Sequence, residues 1–169
     1  MRIVRLLQII AIFVLLGLSI SNAMAQTVGY TYRPLAAEGC NMKYSIAQQN
    51  GEYFIIATVK SDRLTFLKES SFWLKTTDGE IIKLQGEVIG GGSESAGIVS
   101  GNIVIPITEI SSTAQFKISE QELEKLEKGV VKVRLSTTPI EHERTFKKDK
   151  IGKKLYQFYQ KKKMKNDDF

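Results

Sequence analysis

The chain has 169 residues, of which 24 are lysine or arginine and 18 are aspartate or glutamate, so its formal net charge at pH 7 is +6. The basicity is concentrated near one end, since residues 144–165 contain ten lysines and arginines against one aspartate. The sequence has no aromatic-rich RNA-binding pattern and no zinc-finger spacing, so we expect no nucleic-acid partner. A single cysteine excludes an internal disulfide.

Residues 1–25 have the pattern of a secretory signal peptide. Two arginines precede the apolar run Leu6–Ile20, and the small residues Ala23 and Ala25 follow it. The rival interpretation is an uncleaved membrane anchor, but a spanning helix needs about 20 apolar residues, and this shorter run is interrupted by a glutamine. We therefore expect cleavage before Gln26 and a mature protein in the periplasm or outside the cell.

The mature chain is expected to begin with an extended segment, residues 26–40, followed by one all-β domain over residues 41–147. Short apolar runs separated by turn signals are typical of such a domain. The first hairpin turns at Asn50 and Gly51, a dipeptide that accepts the positive φ angles of a type I′ turn. A two-residue loop places Ile46 opposite Ile55, which brings the apolar faces of both strands together.

The second hairpin surrounds Asp78 and Gly79. A three-residue loop with a glycine bulge places Leu74 opposite Ile82, whereas a two-residue turn would place it opposite a lysine. We therefore predict the bulged loop. The same register puts Trp73 opposite Lys83 on the other face, where the indole ring stacks on the lysine or on a ligand. The alternative is a tryptophan shielded by a neighbouring loop.

The glycine-rich stretch from Ile89 to Asn102 is not followed by the Lys-Ser/Thr pair and helix of a phosphate-binding loop. We expect it to be a mobile loop. The alternating strand after it, Ile103–Thr108, contains Pro106, which lacks a backbone donor and therefore predicts a position at a sheet edge.

Ser119 and Glu122 form a capping-box pattern that begins a short helix, and Gly129 ends it. A strand with Val131, Val133 and Leu135 on its buried face follows. Pro139 then separates it from a last strand around His142–Phe146.

This segment resembles uncharacterised small secreted proteins of Gram-negative anaerobic bacteria, which share a strand, an I-S-x-x-x-L-x-x-L helix and a G-V-x-K-V-R-L strand. The matching residues here are Ile118, Ser119, Leu123, Leu126, Gly129, Val130, Lys132, Val133, Arg134 and Leu135. The resemblance implies no activity. It implies an all-β fold, a two-layer immunoglobulin-like β-sandwich of seven or eight strands in which the helix crosses from one sheet to the other.

Residues that could carry catalysis are few. His142 is the only histidine, and strand geometry sends its neighbours Glu141 and Glu143 to the opposite face, so we expect no metal site and no cofactor. A dyad of Cys40 and His142 has nothing in the sequence to orient it. We therefore expect no enzymatic activity.

Residues 148–169 are predicted to form a basic amphipathic helix capped by Asp149. Ile151, Leu155, Phe158 and Tyr159 fall on one stripe, and lysines occupy the other face. The stripe either packs on its own domain or docks on a partner or an anionic bilayer. The candidate partner-binding residues lie on the sheet and on this helix: Trp73, Lys83, Lys153, Lys154, Phe158, Tyr159, Lys161, Lys162 and Lys163.

These observations favour a non-catalytic secreted or periplasmic module that binds or assembles with an unknown protein or envelope component. One alternative is a periplasmic protein held at an anionic membrane surface by the basic helix. The other alternative is an enzyme, with a pocket that holds His142 or Cys40 beside other titratable groups.

Overall fold

The structure is a computed structural model that describes residues 26–32, 40–61, 66–100, 103–138 and 141–167, with the backbone alone at 32, 66, 68–70, 96–100, 103–107 and 166–167. The predicted signal peptide and Pro139 lie outside the described residues. The strands are β1 (Val28–Tyr32), β2 (Cys40–Gln49), β3 (Glu52–Ser61), β4 (Phe66–Thr76), β5 (Ile81–Ser100), β6 (Ile103–Ile118), β7 (Val130–Thr138) and β8 (His142–Thr145). The helices are α1 (Glu120–Lys125), a 3₁₀ turn (Leu126–Lys128) and α2 (Gly152–Asp167).

The predicted all-β class is confirmed, but the two-layer immunoglobulin-like sandwich is not. All eight strands belong to one antiparallel sheet in the order β1-β2-β3-β6-β5-β4-β7-β8, and this sheet curls as a half-barrel. Strand β5 joins the two parts of the sheet, because residues 81–85 pair with β4 whereas residues 86–100 pair with β6. One strand thus supplies backbone hydrogen bonds to both halves, where a sandwich would use separate sheets.

Both predicted hairpin registers are confirmed. Asn50 and Gly51 have φ angles of 52° and 79°, and Ile46 is the partner of Ile55. In the second hairpin Gly79 has a φ angle of 95°, and Leu74 is the partner of Ile82. The turn residues therefore set these registers locally, through the positive φ angles that they accept.

The expectation of a mobile loop over the glycine-rich stretch is wrong. From Gly90 to Ser100 this stretch is the second half of β5, paired residue by residue with β6. A register shift between Val88 and Gly90 leaves Ile89 as an extra residue, the mark of a β-bulge. Pro106 pairs with Gly97 of β5. Among the described strands, β3 pairs only with residues 110–118 of β6, so the part of β6 that contains Pro106 has one neighbouring strand. This confirms the predicted position of Pro106 at an edge.

The predicted buried face of β7 is correct at Val133 and Leu135 but wrong at Val131. Thr76 pairs with Val130, and Lys75 pairs with Lys132, so a register shift leaves Val131 without a partner on β4. Val130 takes the buried position in its place and is fully inaccessible to solvent. A bulge moves a strand by one residue, which exchanges its two faces.

The inward faces of the strands and both helices form one hydrophobic core. Its largest fully buried side chains include residues of the sheet, of α1 and of the start and first half of α2: Tyr44, Phe72, Phe116, Leu123, Leu135, Ile151, Leu155 and Tyr159. The capping box of α1 is present as predicted, since the Ser119 hydroxyl accepts from the Glu122 N–H and the Glu122 carboxylate accepts from the Ser119 N–H. Helix α1 thereby leads the chain from β6 across to β7.

Asp149 lies three residues before the start of α2, and its side chain caps the helix, as predicted, and also joins it to the sheet. Its carboxylate accepts hydrogen bonds from the N–H groups of Ile151, Gly152 and Lys153 at 3.2, 2.8 and 2.8 Å. It accepts another from the Val130 N–H, at the start of β7, at 3.0 Å. Burial opposes ionisation of Asp149, but the four N–H donors outweigh it and lower the pKa of this carboxyl.

Candidate functional site

The side chain of Trp73 lies on the outer face of the sheet, between two cations. Its partners on the flanking strands are Lys83 on β5 and Arg134 on β7. Lys83 Nζ lies 4.6 Å from the centroid of the indole ring, and Arg134 Cζ lies 5.2 Å from it. Both distances are within the range of a cation–π interaction. The predicted stacking of Trp73 with Lys83 is therefore present, with Arg134 as a second cation from the other side.

A second row of residues lies one step along the same strands. Lys75 is the partner of Ile81 on β5 and of Lys132 on β7. Together with Trp73 and Arg134 these residues line a groove of about 220 Å³, and Ile81 in its lining is 55% exposed. We call the outward-facing residues of both rows the Trp73 patch: Trp73, Lys75, Ile81, Lys83, Lys132 and Arg134.

The Trp73 patch has more positive than negative charge. Glu143 on β8 pairs with Lys132 at 2.6 Å and with Arg134 at 2.7 Å. These two hydrogen-bonded cations lower the pKa of the Glu143 carboxyl, which is therefore ionised at neutral pH. Lys75 and Lys83 have no ion pair with any side chain that the structure describes. Among the described side chains, one carboxylate thus pairs with two of the four cations of the patch.

One polar atom of the patch is unsatisfied. The indole Nε1 of Trp73 is buried and has no hydrogen-bond partner among the described residues. A buried donor without an acceptor costs free energy, typically about 1–3 kcal/mol. The buried donor faces no solvent, so the surplus positive charge is the feature of the patch that favours an oxygen-rich anionic ligand.

The residues tested for catalysis are buried in the core. Cys40 is fully buried, and its thiol donates to Ser61 Oγ at 3.1 Å. His142 is 1% exposed, and its Nε2 lies 2.7 Å from the hydroxyl oxygen of Tyr30. Burial, aided by the positive charge of Arg144, lowers the pKa of His142 to about 4, so the ring is neutral at neutral pH. Within the described ranges no three or more His, Cys, Asp or Glu side chains cluster as metal ligands.

Helix α2 places its apolar stripe inside the protein. Ile151, Leu155 and Tyr159 are fully buried, and Phe158 is half-buried against the core. Tyr159 packs edge-on against the ring of Tyr53, with centroids 5.1 Å apart. The stripe therefore docks on the chain's own sheet, which was one of the two expected outcomes.

This packing removes Tyr159 from the candidate contact residues, because its ring is fully buried and its hydroxyl donates to Glu120 at 2.8 Å. The Phe158 side chain is half-buried against the core, so only part of it is open to a partner. Lys163 is held by Glu120 at 2.9 Å. The other candidate lysines remain at the surface: Lys153, Lys154 and Lys161 are exposed, and Lys162 is half-exposed.

The structure thus brings Trp73 and Lys83 together in one site and leaves the α2 lysines on a separate element. Sequence reasoning missed Lys75, Lys132, Arg134 and Glu143 as members of that site. The alternation along β7 indicated that Lys132 and Arg134 face solvent. It did not indicate that β7 lies beside β4, because pairing between distant strands is not encoded locally.

Comparison of the chain with protein-family models, with curated proteins and with solved structures finds no match. Among the described residues, no helix is both long enough and apolar enough to cross a membrane.

Proposed function

We propose that this protein is a non-catalytic binding module, exported from the cytosol, whose contact surface is the Trp73 patch and whose partner is an acidic protein segment. The single observation that carries the proposal is the position of Trp73 between Lys83 and Arg134 on the outer face of the sheet. This ring lies outside the core and holds two cations in place.

Charge supports an acidic partner. Lys75 and Lys132 are direct cross-strand partners on one face, an arrangement that destabilises a sheet by mutual repulsion. Glu143 reaches Lys132 and Arg134 but is the only carboxylate paired with the patch among the described side chains. A carboxylate from a partner placed near Lys75 and Lys83 would relieve this repulsion.

Spacing supports an extended segment. The two rows of the patch are two residues apart along each strand, which corresponds to roughly 7 Å at the rise of a β-strand. Alternate side chains of an extended peptide have the same spacing and point to the same side. A peptide with acidic residues at alternate positions therefore matches both rows at once, and the exposed Ile81 offers an apolar contact beside them.

Because Trp73 is the only tryptophan, its fluorescence reports directly on the patch. The test is a titration of the chain with a synthetic peptide of alternating glutamate and threonine, at low and at high salt. We expect a saturable change in emission at low salt that weakens as salt screens the charges. The double variant Lys75→Gln/Lys83→Gln is expected to lose the change.

The matched control is Lys153→Gln/Lys154→Gln, which removes two equally exposed lysines from α2. It is expected to leave the titration unchanged. The proposal is overturned if the peptide leaves the emission unchanged at low salt, or if both double variants weaken the response equally, since that would indicate attraction to net charge alone.

A further inference from the structure

The outer half of the β5–β6 hairpin has an unpaired strand edge. From Gly86 to Ser100, β5 pairs with β6 on one side, and none of the strands that the structure describes pairs with its other side. Every residue from Gln85 to Ser95 is exposed. An exposed edge of this length presents a row of free N–H and C=O groups, which is a template for another strand.

The protection of this edge consists of the bulge at Ile89 and of two charged residues, Glu87 and Glu94. Three consecutive glycines, Gly90–Gly92, lie between the two glutamates. Glycines leave the backbone open to the close approach of a second strand. Two exposed apolar residues, Val88 at 44% and Ile89 at 49%, lie beside the same edge.

An apolar groove accompanies the edge. It has a volume of about 670 Å³ and runs between Leu67 of β4 and Ile110 of β6, with Val88 and Ile89 on its wall. A strand added to the edge would project alternate side chains over this groove. Backbone pairing and apolar burial would thus occur together, as in other cases of strand addition.

We propose that the occupant of this edge is the same edge of a second copy, so that two chains form a dimer by antiparallel pairing of β5 with β5. A twofold axis between Gly91 and Gly92 presents the same residues from both sides, as an isologous interface requires. In that register Glu87 is opposite Ala96 and Glu94 is opposite Ile89, so no two charges of one sign meet. The glycines lie at the axis, where the backbones come closest.

The test compares two isoleucines of β5. Ile89 lies beside the free edge, whereas Ile81 is similarly exposed but lies where β5 is paired with β4. The chain from Gln26 onward, the form expected after export, is measured by sedimentation over a range of concentrations. We expect a dimer whose dissociation constant rises about tenfold or more in Ile89→Glu, because the new carboxylate lies opposite Glu94 of the second copy, and stays unchanged in Ile81→Glu.

A second variant tests the register. In this register Ser93 of one copy is opposite Gly90 of the other, and both residues are exposed, whereas the natural Cys40 is buried. The double variant Gly90→Cys/Ser93→Cys is expected to give disulfide-linked dimers on oxidation. Ser93→Cys alone is expected to give none, because its two copies would lie roughly 10 Å apart along the strands. A wild-type chain that stays monomeric overturns the proposal. So does an Ile89→Glu chain that dimerises like wild type, or a dimer that Gly90→Cys/Ser93→Cys does not crosslink.

Discussion

The hydroxyl oxygen of Tyr30 and Nε2 of His142 lie 2.7 Å apart, although 112 residues separate them in the chain. Tyr30 belongs to β1 and His142 to β8, the strands at the two ends of the sheet order. Their rings stack with centroids 5.7 Å apart, and Phe146 packs edge-on against Tyr30 at 5.1 Å. The curl of the sheet therefore brings its two edges together, and this buried contact joins them through side chains.

Stability is expected to fall as the pH decreases from about 6.5 to about 4, because His142 is buried and neutral. Its pKa is lowered to about 4 in the folded state, so between these values the unfolded chain binds more protons. At pH 4.5 the loss is about 2–3 kcal/mol relative to pH 7.5. Urea unfolding at several pH values measures it.

The control for this prediction is His142→Phe, which cannot titrate. His142 is the only histidine, and the carboxyls with lowered pKa values bind few protons in the unfolded chain above about pH 5.5, so the window from there to pH 7.5 isolates the ring. The variant is expected to show a nearly flat profile there, whatever its own stability. An equally steep profile would rule out His142 as the cause.

Asp149→Ala is expected to destabilise the protein by about 2 kcal/mol or more. The change removes the cap of α2 and also leaves the Val130 N–H without its acceptor, so two separate penalties combine. Chemical denaturation followed by circular dichroism checks this value. Glu124→Ala, an exposed change on α1, is the control and is expected to shift the midpoint little. A loss below about 0.5 kcal/mol for Asp149→Ala would contradict the assigned role.

Gly86→Ala is expected to destabilise the protein, whereas Gly90→Ala is not. A Cβ at Gly86 would lie 1.9 Å from the backbone oxygen of Gln115, so β5 would have to move away from β6. A Cβ at Gly90 would have no neighbour within 4 Å. Forced shifts of this kind cost about 1–3 kcal/mol. Thermal unfolding of both variants provides the comparison, and equal midpoints would show that the β5–β6 spacing is not fixed at Gly86.

Glu143→Gln is expected to strengthen binding of the acidic peptide to the Trp73 patch. The change removes the one carboxylate that pairs with Lys132 and Arg134, and it releases both cations for a ligand. We expect the dissociation constant from the tryptophan titration to fall by about threefold to tenfold at low salt, with the difference shrinking at high salt. Glu122→Gln, a carboxylate of α1, is the control. Weaker binding in Glu143→Gln would indicate that this residue instead positions Arg134 for the partner.

Local signals accounted for much of the fold. The turns at Asn50-Gly51 and Asp78-Gly79 set two registers, and Ser119 with Glu122 set the start of α1. Each depends on a few consecutive residues, whose backbone angles and nearby hydrogen bonds are fixed by their own chemistry. Predictions that needed information from elsewhere failed, as with the glycine-rich half of β5, where pairing with β6 outweighed a composition typical of loops.

For the candidate site, the sequence by itself determined that Trp73 and Lys83 are cross-strand partners on one face, because a short hairpin fixes both positions. Only the tertiary structure decided that Lys132 and Arg134 lie beside them, that Tyr159 belongs to the core, and that Tyr30 meets His142. Contacts between distant strands form when the summed burial of many side chains outweighs the entropy of ordering the chain between them. That sum belongs to the whole folded molecule and to no single segment of it.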